Sequence, residues 1–218
     1  VSIQLFTHPF SSYCQKVLIA LYENGTLFEE LRLDPKHPKN GAELGKLWPI
    51  GKFPVIRDGD RVVIEATSII DYLDVHYRGA TRFIPDDADA AIEVRMLDRI
   101  FDNYVMTPMQ KLVGDAIREP DRRDPTGVAI ARGLLDKSYA WIEDRLGGKE
   151  WIAGEFSLAD CAAGPSLFYA DWAHPIPEAH TNLRAYRTRL LARPSFARAV
   201  DEARPYRNLF PLGAPDRD

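Results

Sequence analysis

From Ser2 to Thr7 polar and apolar positions alternate with the period of a strand, and His8-Pro9 ends the run just before Ser11-Ser12, where a helix N-cap belongs. Val17, Leu18, Leu21 and Tyr22 then recur at helical spacing, up to the C-cap pair Asn24-Gly25. The pattern predicts a second strand over Leu27 to Leu33, a Pro/Lys-rich loop from Asp34 to Asn40 and a short helix around Ala42 to Leu47. Phe53 to Ile56 and Arg61 to Ile64 flank Asp58-Gly59-Asp60 and read as a hairpin. After Glu65, the positions Ile69, Ile70, Leu73 and Tyr77 return to helical spacing.

The first ~80 residues therefore read β-α-β-α-β-β-α, and everything beyond reads helical. Gly79, Pro85 and neighbouring aspartates mark a linker over residues 79–86, separating a mixed α/β domain (1–78) from an all-helical domain (87–218). A long helix from about Asp87 to Glu119 carries Ile92, Met96, Ile100 and Tyr104 as one face, with Pro108 expected to kink it. Asp124-Pro125 opens a helix that Gly147-Gly148 ends, and Ser157-Leu158-Ala159-Asp160 opens the next. Two further helices are predicted, over His180 to Ala192 and Ser195 to Ala203.

Composition narrows the function classes. With 218 residues, 45% of them hydrophobic, the chain can bury a sizeable core. Its apolar stretches fall far short of the roughly 20 residues of a membrane-spanning helix, so a soluble protein with no membrane partner is expected. Lys plus Arg number 28 against 32 Asp plus Glu, a net charge of −4 with no basic block, which argues against nucleic acid as a partner. The two cysteines, Cys14 and Cys161, make neither a disulfide framework nor a metal cluster, and the opening residues pattern as a strand rather than a leader, so a reducing cytoplasm is expected. The five histidines show no ligand spacing, and no metal is assigned.

Four local features carry chemistry: Ser11-Ser12-Tyr13-Cys14-Gln15-Lys16-Val17, Gly51-Lys52-Phe53-Pro54, Glu65-Ala66 and Ser157-Leu158-Ala159-Asp160. Together, and in this order, they resemble the cytosolic glutathione transferases of the serine type (theta- and zeta-like), over nearly the whole chain. The resemblance implies a thioredoxin-like N-terminal domain, an all-helical C-terminal domain, a homodimer, glutathione as co-substrate and a detoxifying conjugation of its thiolate to a small electrophile. It further implies that Ser11 contacts the sulfur, that Ser12 lies at the glutathione site, and that Phe53 and a cis Pro54 hold the cysteinyl backbone. Lys52 would reach the glycyl carboxylate, and Glu65, Ala66 and Thr67 the γ-glutamyl end. Ala66 departs from the family's serine, so the γ-glutamyl carboxylate falls to the backbone amides of Ala66 and Thr67 or to the Thr67 hydroxyl. Ser157 and Asp160 form the family's structural capping box.

Each assignment has a plainer counterpart. Ser11 or Ser12 serves equally as a simple helix cap, Glu65 as an acid in a helix first turn, and Lys52 as a solvated loop lysine. Tyr13 reads as pocket wall, and Cys14 as a small buried apolar residue, which leaves Ser11-x-x-Cys14 without the attacking thiol of a dithiol reductase. Arg99, Asn103 and Met106 share a helical face and are expected to wall the electrophile, or else to form a solvated or dimer-facing stripe. The same scaffold admits a glutathione-dependent isomerase, a disulfide-bond reductase or a non-catalytic glutathione-binding protein. Tyr13 in place of the zeta-type cysteine weakens the isomerase reading.

Overall fold

The structure, a computed structural model, describes residues 3–218; Ser2, assigned above to the first strand, lies outside the described residues. Strand β1 (Ile3–Thr7) leads into helix α1 (Ser12–Glu23), then β2 (Phe28–Arg32), α2 (Pro38–Leu47), β3 (Val55–Asp58), β4 (Arg61–Ile64) and α3 (Ala66–His76). The four strands form one mixed sheet in the order β2-β1-β3-β4. β1 runs parallel to β2, with Leu5 opposite Glu30, and antiparallel to β3, with Leu5 opposite Ile56. The third strand begins at Val55 rather than at the expected Phe53, because Pro54 has no N–H to give to a ladder. Helix α2 likewise begins earlier than its pattern suggests, on Pro38, whose missing N–H costs nothing in a first turn.

Beyond residues 77–87 the chain is helical. α4 (Ala88–Ile100), a π-helical stretch (Phe101–Met106) and α5 (Thr107–Ala116) form one continuous rod, followed by α6 (Pro125–Leu146), α7 (Leu158–Ala173), α8 (Thr181–Ala192) and α9 (Pro194–Ala203). The kink expected at Pro108 takes the form of this π-helical stretch. Pro108 cannot donate to the Tyr104 carbonyl four residues back, and the Ser138 hydroxyl of α6 donates to that carbonyl instead, at 2.8 Å. The Ile92, Met96 and Tyr104 face of the rod points outward, each side chain 46–65% exposed, while Ala91, Val94, Leu97 and Phe101 pack inward.

One hydrophobic core runs through both halves of the chain: α1 contributes Val17, Leu18 and Leu21, and α7, buried along its whole length, contributes Ala159, Ala162, Ala163 and Leu167. A capping box starts α7 inside this core. Asp160 accepts from the Ser157 N–H at 2.9 Å and from the Tyr186 hydroxyl at 2.5 Å, so a fully buried carboxyl fixes where the helix begins. Burial pushes its pKa up to about 6, against the donors that favour the charged form. No helix among the described residues is long and apolar enough to cross a membrane.

Candidate functional site

A cleft of about 470 Å³ opens between the α/β half and the helical rod, lined by Ser11, Tyr13, Trp48, Lys52, Phe53, Pro54, Glu65, Ala66, Arg99, Asp102, Asn103 and Gln110. Four segments distant in sequence supply it. Ser11 is the N-cap of α1, in extended backbone, and its Oγ accepts the Cys14 N–H at 3.4 Å. A cap uses an oxygen lone pair and leaves the hydroxyl proton to donate, so capping α1 and donating into the cleft are compatible roles for one side chain. Four residues on, Gln15 is wholly buried, and Cys14 is too, its thiol pushed up by burial and held neutral.

The loop from Trp48 to Pro54 forms a second wall, with a cis Phe53–Pro54 peptide and exposed Lys52 and Phe53 side chains above it. The third wall is the start of α3. Glu65 takes φ +68, the one positive value at a residue other than glycine among the described residues, and its side chain makes no capping hydrogen bond. The first N–H groups of α3 are therefore left without a side-chain cap, at a helix end that attracts anions. Backbone strain of this kind costs on the order of 1–3 kcal/mol and persists only where the surroundings impose it.

The fourth wall, the rod, brings charge to the base of the cleft. Lys16 Nζ, 1% exposed, lies 2.5 Å from Asp98 Oδ1 and 2.8 Å from Asp102 Oδ2. The half-exposed Arg99 guanidinium spans the same two carboxylates from the cleft side, at 2.5 and 2.6 Å. The Thr67 hydroxyl accepts from Lys16 at 2.9 Å and from Arg99, and donates to Asp98 at 2.9 Å. Two cations thus balance two carboxylates in a junction tying α1, α3 and α4. Burial raises the pKa of Asp102, with Lys16 opposing that shift, and its Oδ1 has no hydrogen-bond partner within the protein. Tyr13 is pushed up to about 12, by burial first and by Asp102 second, so it stands in the cleft as a neutral phenol.

Of the residues singled out from sequence, the cleft gathers Ser11, Tyr13, Lys52, Phe53, Pro54, Glu65, Ala66, Arg99 and Asn103. Three are placed otherwise. Ser12, first residue of α1, turns inward and is buried outside the cleft. Met106 is buried at 1%, because the π-helical stretch turns it away from the Arg99 and Asn103 face on which ideal helical spacing had put it. The Thr67 hydroxyl is committed to Lys16, Asp98 and Arg99, so only the Thr67 amide remains for a ligand. Sequence reasoning missed Trp48, Asp102, Gln110 and the buried Lys16. A lysine flanked by Cys14, Val17 and Leu18, with two aspartates four residues apart on a distant helix, was the available signal for the junction.

A four-stranded sheet with α1 and α3 beside it, joined to a helical bundle across a cleft that offers a capped serine, a cis-proline loop and uncapped helix amides, defines a thioredoxin-like domain with a helical partner. Residues 5–81 match the family model of the glutathione S-transferase N-terminal domain, and residues 114–189 that of the glutathione S-transferase C-terminal domain. The chain belongs to the glutathione S-transferase family. It is 28% identical over 174 residues to glutathione S-transferase F6 of Arabidopsis thaliana, covering 77% of this chain and 83% of the relative. It is 26% identical over 219 residues to a probable maleylacetoacetate isomerase of Vibrio cholerae, covering 94% and 98%. Among solved structures it resembles a glutathione S-transferase from Methylobacterium radiotolerans in complex with glutathione sulfonate, with TM-score 0.79 and 27% identity over 92% of this chain and 95% of that one. Among the described residues no group of three or more His, Cys, Asp or Glu side chains is arranged to hold a metal.

Proposed function

We propose that this protein binds glutathione in the Ser11 cleft, stabilises its thiolate and delivers it to a small electrophile. The observation that carries the reading is Ser11 itself, a hydroxyl at the head of α1 whose capping bond leaves its proton available to an anion beside it. A free thiol of pKa about 8.5 is only a few per cent ionised at neutral pH. Lowering that value by two units takes ~2.7 kcal/mol of preferential interaction with the anion. A hydroxyl donating to a charged acceptor supplies about 1.5–3 kcal/mol, and a helix N-terminus about 0.3–1 kcal/mol. The two together reach the requirement without a general base.

The remaining groups divide along the tripeptide. Lys52 meets the glycyl carboxylate, and the Phe53-Pro54 loop meets the cysteinyl backbone. The amides of Ala66 and Thr67 receive the γ-glutamyl carboxylate, and Glu65 receives the α-ammonium. Arg99, Asn103, Gln110 and Tyr13 face the space left for the second substrate. We read the exposed Ile92, Met96 and Tyr104 face as the surface through which two copies pair.

A second reading, glutathione-dependent isomerisation, is favoured by the likeness over nearly the whole chain to the probable isomerase. Conjugation consumes one thiol per turnover and isomerisation none, so titrating free thiol after reaction separates the two. Absence of saturable glutathione binding at millimolar concentration would overturn both.

A further inference from the structure

Ser11 owes its position to the peptide group that precedes it. That group is held at both ends: the Ser11 N–H donates to the His8 carbonyl at 2.9 Å, and the Phe10 carbonyl accepts from the Tyr169 hydroxyl at 3.1 Å. Tyr169 belongs to α7 of the helical domain, 159 residues away from Phe10. Its oxygen also accepts from Gln15 Nε2 at 3.1 Å, and the same Gln15 nitrogen donates to the Pro9 carbonyl at 3.0 Å. Two consecutive carbonyls of the loop, those of Pro9 and Phe10, are thus fixed by two buried side chains that bond to each other.

The arrangement depends on the hydroxyl and not on bulk. The Tyr169 ring meets Phe10 edge-on at 5.3 Å and is backed by Phe168, Trp172 and Phe210, contacts that a phenyl ring would keep. Only the oxygen reaches the loop. Burial raises the hydroxyl above the ordinary phenol range, so it is a proton donor at neutral pH. A hydrogen bond weakens steeply with misalignment, so freeing the Phe10–Ser11 peptide would cost Ser11 its aim at a sulfur.

We infer that Tyr169 is a positioning residue, through which the helical domain sets the orientation of Ser11 by fixing the Phe10–Ser11 peptide, with Gln15 as its partner. The geometric part of this stands without a ligand; its consequence for thiolate stabilisation rests on the glutathione reading above.

The test is Tyr169→Phe, read in two ways. In the ligand-free protein, hydrogen exchange at the Ser11 amide should accelerate at least tenfold, while amides in the middle of α1 exchange as in the wild type. With glutathione bound, its apparent thiol pKa should rise by half a unit or more, a threefold loss of thiolate at low pH, with Kd for glutathione changed less than twofold. Trp172→Phe disturbs the same aromatic cluster without touching the loop and should move neither readout. Gln15→Met removes the second donor and should shift both in the same direction, so it decides the matter if Tyr169→Phe does not fold. Unchanged Ser11 exchange in a folded Tyr169→Phe protein overturns the inference. A wild-type thiol pKa equal to that of free glutathione overturns the thiolate-stabilisation reading instead, and leaves the exchange measurement to decide the role of Tyr169.

Discussion

Lys16 Nζ lies 2.5 Å from Asp98 Oδ1 with both side chains at most 1% exposed, joining the helix that Ser11 caps to the rod that carries Arg99 and Asp102. Removing one partner of a buried pair leaves a charge without compensation, a loss of about 3–5 kcal/mol. Arg99 and Thr67 also reach Asp98, which favours the low end of that range. Lys16→Met should therefore lower stability by about 3 kcal/mol, read as a fall in the urea midpoint at unchanged slope. A midpoint within experimental error of the wild type would mean that the junction holds nothing together.

Thr67 separates structural from ligand-binding roles within one residue. Its hydroxyl serves the junction, and its amide lies in the first turn of α3. Thr67→Val should cost about 1–3 kcal/mol of stability, since Lys16 and Asp98 lose a buried partner. Glutathione affinity, measured by calorimetry, should change less than twofold; a tenfold loss would return the hydroxyl to the binding site.

Ala66 is where the chain departs from the Glu-Ser pattern, and it lines the cleft at the head of α3. On the proposed reading, restoring the hydroxyl with Ala66→Ser would add one donor to the carboxylate assigned to two amides. Glutathione should bind more tightly by about 1 kcal/mol, some fivefold in Kd. No gain would mean that the carboxylate sits elsewhere.

Asp160 gives the fold a pH dependence with a definite sign. Its folded-state pKa is raised from 3.8 to about 6, so the folded state holds the proton more tightly than the unfolded chain. The stabilisation is complete below about pH 4 and is lost as pH rises through about 6, a change on the order of 3 kcal/mol. Comparing denaturant midpoints of the wild type and Asp160→Asn at intervals between pH 4 and pH 7 isolates this group, because the other titrations cancel. The wild type should lose stability relative to the variant as pH rises. The opposite slope would mean that the donors from Ser157, Ile152 and Tyr186 outweigh desolvation.

What could be read from the sequence was local. The strand, turn and helix signals around Ser11, the hairpin at Asp58-Gly59-Asp60 and the capping box at Ser157 each lie within a few residues, and the sheet and helices follow them closely. The cleft residues that came from short motifs, Ser11, Phe53-Pro54 and Glu65-Ala66, were found for the same reason. Met106 was misplaced because the π-helical stretch changes the angular spacing along the rod, an effect of Pro108 and of packing against Ser138 that no periodicity count contains. The junction of Lys16 with Asp98 and Asp102, and the reach of Tyr169 to Phe10, depend on separations of 82 to 159 residues. Such pairs become visible only when the helical rod and α7 are packed on α1.

On the proposed reading, Ser11 holds the sulfur of glutathione as an anion. Thiolate absorbance of bound glutathione, followed against pH for the wild type and Ser11→Ala with free glutathione as reference, tests it directly. A thiol pKa lowered by about two units in the wild type and returned most of the way to the free value in Ser11→Ala is the predicted result. A lowered value unchanged in Ser11→Ala would hand the role to Tyr13 or to backbone amides, and no lowering in the wild type would contradict thiolate stabilisation altogether.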